Sequence, residues 1–282
     1  DLRRLLVEEH IGQEPVGLTG LDRWVLVPDQ ARDLDGDAKI PYFGQPEGLM
    51  HYLDAELFLP GGGFKGYRHD LSGKPSRADI PDDWRNDDRF PQAGYLPWRT
   101  QQVYNDLVAA IERDNLLPDE GDDIQDRDHA VALAGYLIHY VQDNTQPHHA
   151  TLDFRSQSYF AVRHLAPNVH GMFEFGLVDW EGKPFPKLRN ELFDKVMARH
   201  ALIQRAKAQA MMAPYRPFED SVAMSLYSYD LLPLIGEAAQ LAAGQQVQGG
   251  DPSRPVGPPS RGRDDFDIPA FFNFTGTARG ET

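Results

Sequence analysis

The chain has no cysteine among its 282 residues. That excludes disulfide staples, thiolate metal sites and a cysteine nucleophile, so any metal ligands must come from His, Asp and Glu. Basic charge is also scarce: the formal net charge is −15, which argues against a groove for duplex nucleic acid. A substrate phosphate is still compatible, because bound cations add local positive charge that this count omits. No apolar run reaches the roughly 18 residues needed to span a bilayer. No leader peptide is visible at Asp1. There is no internal repeat and little period-two alternation, so a sheet-based architecture is not expected.

What is present is a helical pattern broken by long polar loops. Residues 1–9 read as a short amphipathic helix, and residues 20–95 are rich in Gly, Pro and Asp and mostly irregular. Val103, Leu107, Ala110 and Ile111 recur with helical spacing, which predicts a helix from Leu96 to Asn115 with Pro97 in its first turn. The acidic run Asp119 to Asp128 suits the start of a second helix, where carboxylates complement the dipole. Further helices are expected around His170 and Glu174, from Pro186 to Met212, and from Phe218 to Ala243. After Gly244 the composition turns to Pro, Gly and Gln and cannot build a core. The expected organisation is a mainly α domain over residues 1–244 and a tail over 245–282, whose closing FDIPAFFNF is apolar enough to dock on a surface.

The second helix carries the chemistry. Leu133 to Ala150 reads LAGYLIHYVQDNTQPHHA, with His139 and Asp143 four apart inside an apolar run. Residues at that spacing share a helix face, with β-carbons about 5–6 Å apart. An imidazole and a carboxylate so placed can grip one cation. Pro147 then breaks the helix and can fold His148 and His149 back toward the same face. About twenty residues on, His170 and Glu174 repeat the four-residue spacing. Two such pairs with a linking histidine point to a cluster of metal ions. The competing reading is a buried His–Asp pair without metal, since a buried carboxylate needs either kind of partner.

HYVQDNTQPHHA resembles the His-x-x-x-Asp-x-x-x-Pro-x-His signature of the zinc-dependent phospholipase C and single-strand zinc nuclease superfamily. His139, Asp143, Pro147 and His149 match it, and His148 falls on a variable position. The downstream His-x-x-x-Asp/Glu of that family matches His170 and Glu174. Upstream, VLVPDQAR and HYLDAE resemble its aspartate and histidine motifs and give Asp29 and His51, with Asp37 a rival on spacing. The resemblance runs from about Val25 to Glu174 and implies a multi-helix fold with long loops. It implies one zinc on Asp29, His51, His139 and Asp143, and a second on His149, His170 and Glu174. The family's third zinc uses an amino-terminal tryptophan, an early histidine and the central aspartate; Asp1 to Gly12 lacks that setting, so two zincs per chain are expected.

The resemblance also implies hydrolysis of a phosphodiester by a phospholipase C or nuclease mechanism, with a phospholipid head group or single-stranded nucleic acid as substrate. It implies a secreted or periplasmic setting. Arg32 matches a nuclease arginine that contacts substrate phosphate, and Asp54 a nuclease base-recognition aspartate; a surface ion pair and a partner orienting a ligand histidine are the respective alternatives. Glu174, in place of aspartate, leans toward the phospholipases. A degenerate, non-catalytic metal-binding member is the reading from another class. GGGFKG at Gly61 lacks the Lys-Ser/Thr of a phosphate loop and reads as flexible. Trp98, Tyr52, Phe58 and Phe64 read as packing residues, and His69 and His164 as exposed.

Overall fold

The computed structural model describes residues 24–29, 46–63, 73–116, 124–160, 168–171, 216–246, 267 and 270–271. The expected helices over 1–9 and 186–212 lie outside them, as do Arg32, Asp37 and Glu174. The described residues are mostly helical and contain no strand, so the chain is mainly α there. Three long helices are present among the described residues: α1 (Leu96–Leu116), α2 (Ile124–Thr145) and α3 (Pro217–Ala242). None of the described helices is long and apolar enough to cross a membrane. The chain divides into two compact units, Asp1–Leu152 with Pro217–Pro233, and Asp153–Arg216 with Leu234–Thr282. The division falls at Pro233, a residue inside α3 that cannot donate an intrahelical hydrogen bond.

In the first unit, α1 packs along α2. Val103, Leu107 and Ala110 are buried on one face of α1, as their spacing predicts. Thr100 at its first turns returns its hydroxyl to the Leu96 carbonyl at 2.9 Å. Ala130 through Ala134 supply the buried start of α2. The core continues into the loops through Met50, Leu53, Phe58, Ile80 and Trp84. Trp98 packs on Trp84 and Phe218 with ring centroids 5.7 and 4.5 Å away, so it serves as a packing anchor. Phe58 does the same against Trp84 and Phe90.

Residues 46–63 form two single-turn 3-10 helices, Glu47–Met50 and Ala55–Phe58, with His51 between them. Backbone bonds fix this loop from two sides. Leu53 N donates to His149 O at 2.8 Å, and Asp54 N to Ala93 O at 2.8 Å. Tyr95 N donates to Leu49 O at 2.7 Å. The second side depends on Gly94, whose φ is +84°; a β-carbon there would stand 2.0 Å from the Tyr52 carbonyl oxygen.

A second close approach places Asp29. An added β-carbon on Gly135 in α2 would lie 2.4 Å from the Trp24 β-carbon. The missing side chain lets the 24–29 segment rest on α2, where Trp24 meets the Tyr136 ring edge-on at 6.1 Å. From α3, Asn144 at the end of α2 is gripped by a stripe of buried serines. Its amide donates to Ser221 Oγ at 2.6 Å and to Ser221 O at 3.1 Å. Ser225 Oγ donates to its amide oxygen at 2.6 Å, and Ser228 Oγ to its backbone carbonyl at 2.9 Å.

In the second unit, the end of α3 packs on Tyr159, whose carbonyl accepts from Gln240 Nε2 at 2.6 Å. The helix stops at Ala242, one residue short of the expected end, and Gly244 follows at φ +73°. Asp267 N donates to Ala242 O at 3.0 Å and Phe271 is buried. Part of the closing apolar segment is thus docked within this unit. His170 sits in a single turn, Val169–Gly171, with the Phe154 ring edge-on at 6.1 Å.

Candidate metal centre

α2 presents His139 and Asp143 on one face, and the 3-10 turn that follows is built directly on that face. Gln146 N donates to Asp143 O at 3.0 Å, Pro147 starts the turn, and His149 N donates to Gln146 O at 3.0 Å. The Gln146 side chain accepts from His148 N at 3.3 Å. This short closure brings His149 Nδ1 to 3.5 Å from Asp143 Oδ1. His148 turns away, buried against Gln146 at 3.1 Å.

The other carboxylate oxygen of Asp143 meets a second set of donors. His51 Nδ1 lies 2.8 Å and His139 Nε2 3.1 Å from Asp143 Oδ2. The two ring nitrogens are 3.1 Å apart. Asp29 Oδ1 completes the group, 3.8 Å from His51 Nδ1 and 3.9 Å from His139 Nε2. Asp29, His51 and His139 thus form a group that could hold a metal ion, with ligand atoms within 4.8 Å of one another.

The spacing tests whether a cation fits. Four N and O donors placed tetrahedrally at about 2.0–2.2 Å from zinc are separated by about 3.3–3.6 Å. The three separations among Asp29, His51 and His139, from 3.1 to 3.9 Å, bracket that edge. A simple His–Asp pair accounts less well for the same atoms. It needs one imidazole, whereas here two ring nitrogens face one oxygen and each other, with a second carboxylate beside them. If both nitrogens carried protons, two N–H groups would crowd together at 3.1 Å; a cation between them removes the conflict.

Electrostatics agrees with tight coupling. Burial alone would raise the Asp143 pKa, but hydrogen bonds from His139 and His51 and the charges of His149 and His139 outweigh it and hold the carboxyl well below the usual range. Burial works against charge on His139. Its hydrogen bond to Asp143, the charges of Asp143 and Asp29, and a backbone hydrogen bond with Val25 outweigh that and raise its pKa. The histidine side chains are 4 to 10% exposed, whereas Asp29 is 35% exposed. Asp29 is thus the most solvent-accessible side chain of the group.

The remaining expected residues divide clearly. Asp54 is not in this group. It is buried beside Glu56, and burial first, then the Glu56 charge, push its pKa up to about 8. Glu56 is itself buried and accepts from the Thr151 hydroxyl and from Leu152 N. His170 belongs to the second unit. Three residues that the sequence pattern did not single out stand behind His51. Glu47 is buried, 3.7 Å from His51 Nε2, accepts from the Tyr140 hydroxyl, and lies 4.0 Å from Arg99 Nη2. Arg99 Nε donates to Tyr140 Oη at 3.1 Å. One signal existed: Glu47 precedes His51 by the same four residues that relate His139 to Asp143. Neither family models, nor curated proteins, nor solved structures give a match to this chain.

Proposed function

We propose that this protein is a zinc-dependent hydrolase of phosphodiesters, of the phospholipase C type, with the multi-helix fold of that superfamily. The observation that carries the reading is the convergence of Asp29, His51 and His139 into a group that could hold a metal ion, with Asp143 Oδ2 beside both imidazoles. These four residues would hold the first ion. His149, with His170 and Glu174 as the resemblance has it, would hold a second. Zinc would supply a water made acidic near neutral pH and positive charge facing a phosphoryl oxygen.

The protein's own groups set up that chemistry. Asp143 stands between the three imidazoles, Oδ2 beside His51 Nδ1 and His139 Nε2 and Oδ1 beside His149 Nδ1, so one carboxylate lies next to every nitrogen that would bind metal. Deep burial of the histidines keeps their rings in place, and the part-exposed Asp29 edge would leave an approach for substrate. Without cations the carboxylates here would repel a phosphate, so anionic substrate and metal should bind together. The phospholipase branch is favoured over the nuclease branch by Glu174 and by Asp54. With a pKa near 8, Asp54 is largely an uncharged acid packed inside its loop, not a carboxylate offered to a base. The superfamily's secreted or periplasmic setting is part of the same proposal.

The test is metal content with turnover. After reconstitution, elemental analysis should give about two zinc ions per chain, and a chromogenic phosphocholine diester should be hydrolysed, with loss on chelation and recovery on adding zinc. Less than one equivalent of zinc would overturn the reading. Cleavage of single-stranded DNA without the diester would move it to the nuclease branch. Bound zinc with neither activity would mark a non-catalytic metal-binding member.

A further inference from the structure

The metal group uses one nitrogen of His51 and leaves the other unexplained. Nδ1 faces Asp143 and His139, while Nε2 is buried and has no hydrogen-bond partner. A neutral imidazole that offers a lone pair from Nδ1 must carry its proton on Nε2. That proton needs an acceptor, and ligand histidines generally find one in a carboxylate or carbonyl. Beyond Nε2 stands Glu47 Oε1, at 3.7 Å.

Glu47 is not placed there by chance packing. It is a buried acid at 7% exposure, and a buried carboxylate needs fixed partners. It has two. The hydroxyl of Tyr140, fully buried, donates to the same oxygen that faces His51. Arg99, itself buried, holds Tyr140 Oη through Nε and stands 4.0 Å from the other Glu47 oxygen. The Tyr140 ring also touches both ligand imidazoles, with centroids 5.7 Å from His51 and 5.4 Å from His139. The three side chains come from the Glu47–Met50 turn, α1 and α2, so the acceptor is braced by three elements.

We propose that Glu47, braced by Tyr140 and Arg99, is the positioning residue for His51: it accepts the Nε2–H and so commits Nδ1 to the metal as a lone-pair donor. The inference rests on the metal-centre reading. Closing 3.7 Å to the hydrogen-bond limit of about 3.2 Å takes only a slight turn of the ring. Glu47 does not touch the ion, and its effect passes entirely through His51.

The experiment compares wild type with Glu47→Leu, Glu47→Gln and Tyr140→Phe. Two readouts are used: zinc affinity by competition with a chromophoric chelator, and the visible spectrum of the cobalt-substituted protein, which reports coordination number and ligand type. Glu47→Leu removes the acceptor at similar size and should weaken zinc by about 10–100-fold, with a changed cobalt spectrum. Glu47→Gln keeps an acceptor oxygen without the charge and should recover most of that loss, which a merely structural role would not require. Nitrogen NMR of the zinc-loaded wild type should show His51 protonated at Nε2 and shifted by either substitution. If Glu47→Leu does not fold, Tyr140→Phe decides: it frees the Glu47 oxygen and should weaken zinc by several-fold. Zinc affinity and cobalt spectra equal to wild type in the folded variants would overturn this proposal alone. A wild type with no cobalt spectrum would overturn the metal-centre reading, and this proposal with it.

Discussion

Replacing His139 by alanine should lower stability even with every metal removed, and by an amount that depends on pH in a defined direction. Its Nε2 lies 3.1 Å from Asp143 Oδ2, and both groups are buried or nearly so. A hydrogen bond to a charged group contributes about 1.5–3 kcal/mol. A void the size of an imidazole costs on the order of 1 kcal/mol more at about 24 cal/mol per Å³. The total of about 2.5–4 kcal/mol corresponds to a melting point lower by about 5–15 °C for a domain of this size. The folded pKa of His139 is raised, so its charged interaction is fully present below the unfolded value of about 6.5 and is lost as pH rises through the folded value. In chelator, the variant should therefore lose more at pH 6 than at pH 9. Zinc reverses the trend, because its binding requires neutral imidazole and strengthens with pH. At a zinc concentration of about 100 Kd the wild type should gain about 2.7 kcal/mol, and His139→Ala should gain little of it. Calorimetry at the two pH values, with chelator and then with zinc, measures all four quantities. A variant melting within about 1 °C of wild type at pH 6, and shifting equally on zinc, would refute the whole reading of this group.

Two further outcomes follow from the same geometry. Burial and the Glu56 charge push the Asp54 pKa up to about 8 from the ordinary carboxylate value of about 3.9, so its contribution is full below about pH 4 and falls away as pH rises toward 8; Asp54→Asn should match wild type near pH 4 and exceed it by a margin growing about 1.4 kcal/mol per pH unit, and equal stability differences in urea at about pH 4 and about pH 7 would contradict this. Gly135→Ala should preserve or improve α2, since alanine gains up to about 1 kcal/mol over glycine in a helix, yet drive Trp24 and hence Asp29 off the helix face; zinc competition should show at least a tenfold loss with unchanged far-ultraviolet circular dichroism, and undiminished zinc binding would remove Asp29 from the ligand set.

Much of the first unit is legible in the chain because its signals are local. The spacing of Val103, Leu107 and Ala110 is enough for α1, which ends one residue beyond the expected Asn115. His139 and Asp143 share a face because any helix places residues four apart together, and Pro147 turns the chain where a proline must. Asp29 and His51 are different. No periodicity covers residues 24–63, and what places them is Gly135 and Gly94 admitting backbone at contact distance. Those are tertiary facts, reachable beforehand only through motif resemblance. Glu47, Tyr140 and Arg99 were missed for a related reason. Glu47 has a local signal only in its four-residue spacing to His51, Tyr140 and Arg99 have none, and the three become a set only after three elements meet. That Asp54 and Glu56 are buried together is likewise a tertiary fact, with no hint of it in one dimension.

The serine stripe on α3 behaves as a key cut to one position. Ser221, Ser225 and Ser228 lie on a single face and all close on Asn144, the residue next to Asp143. Apolar faces of two helices tolerate sliding, since one methyl can replace another. Hydroxyls do not: moving α3 by one residue would carry all three away from the amide and strand buried donors and acceptors at about 1–3 kcal/mol each. The clasp thus acts as a detent with a single notch, and it fixes the axial position of the α2 turn from which the metal-facing groups project.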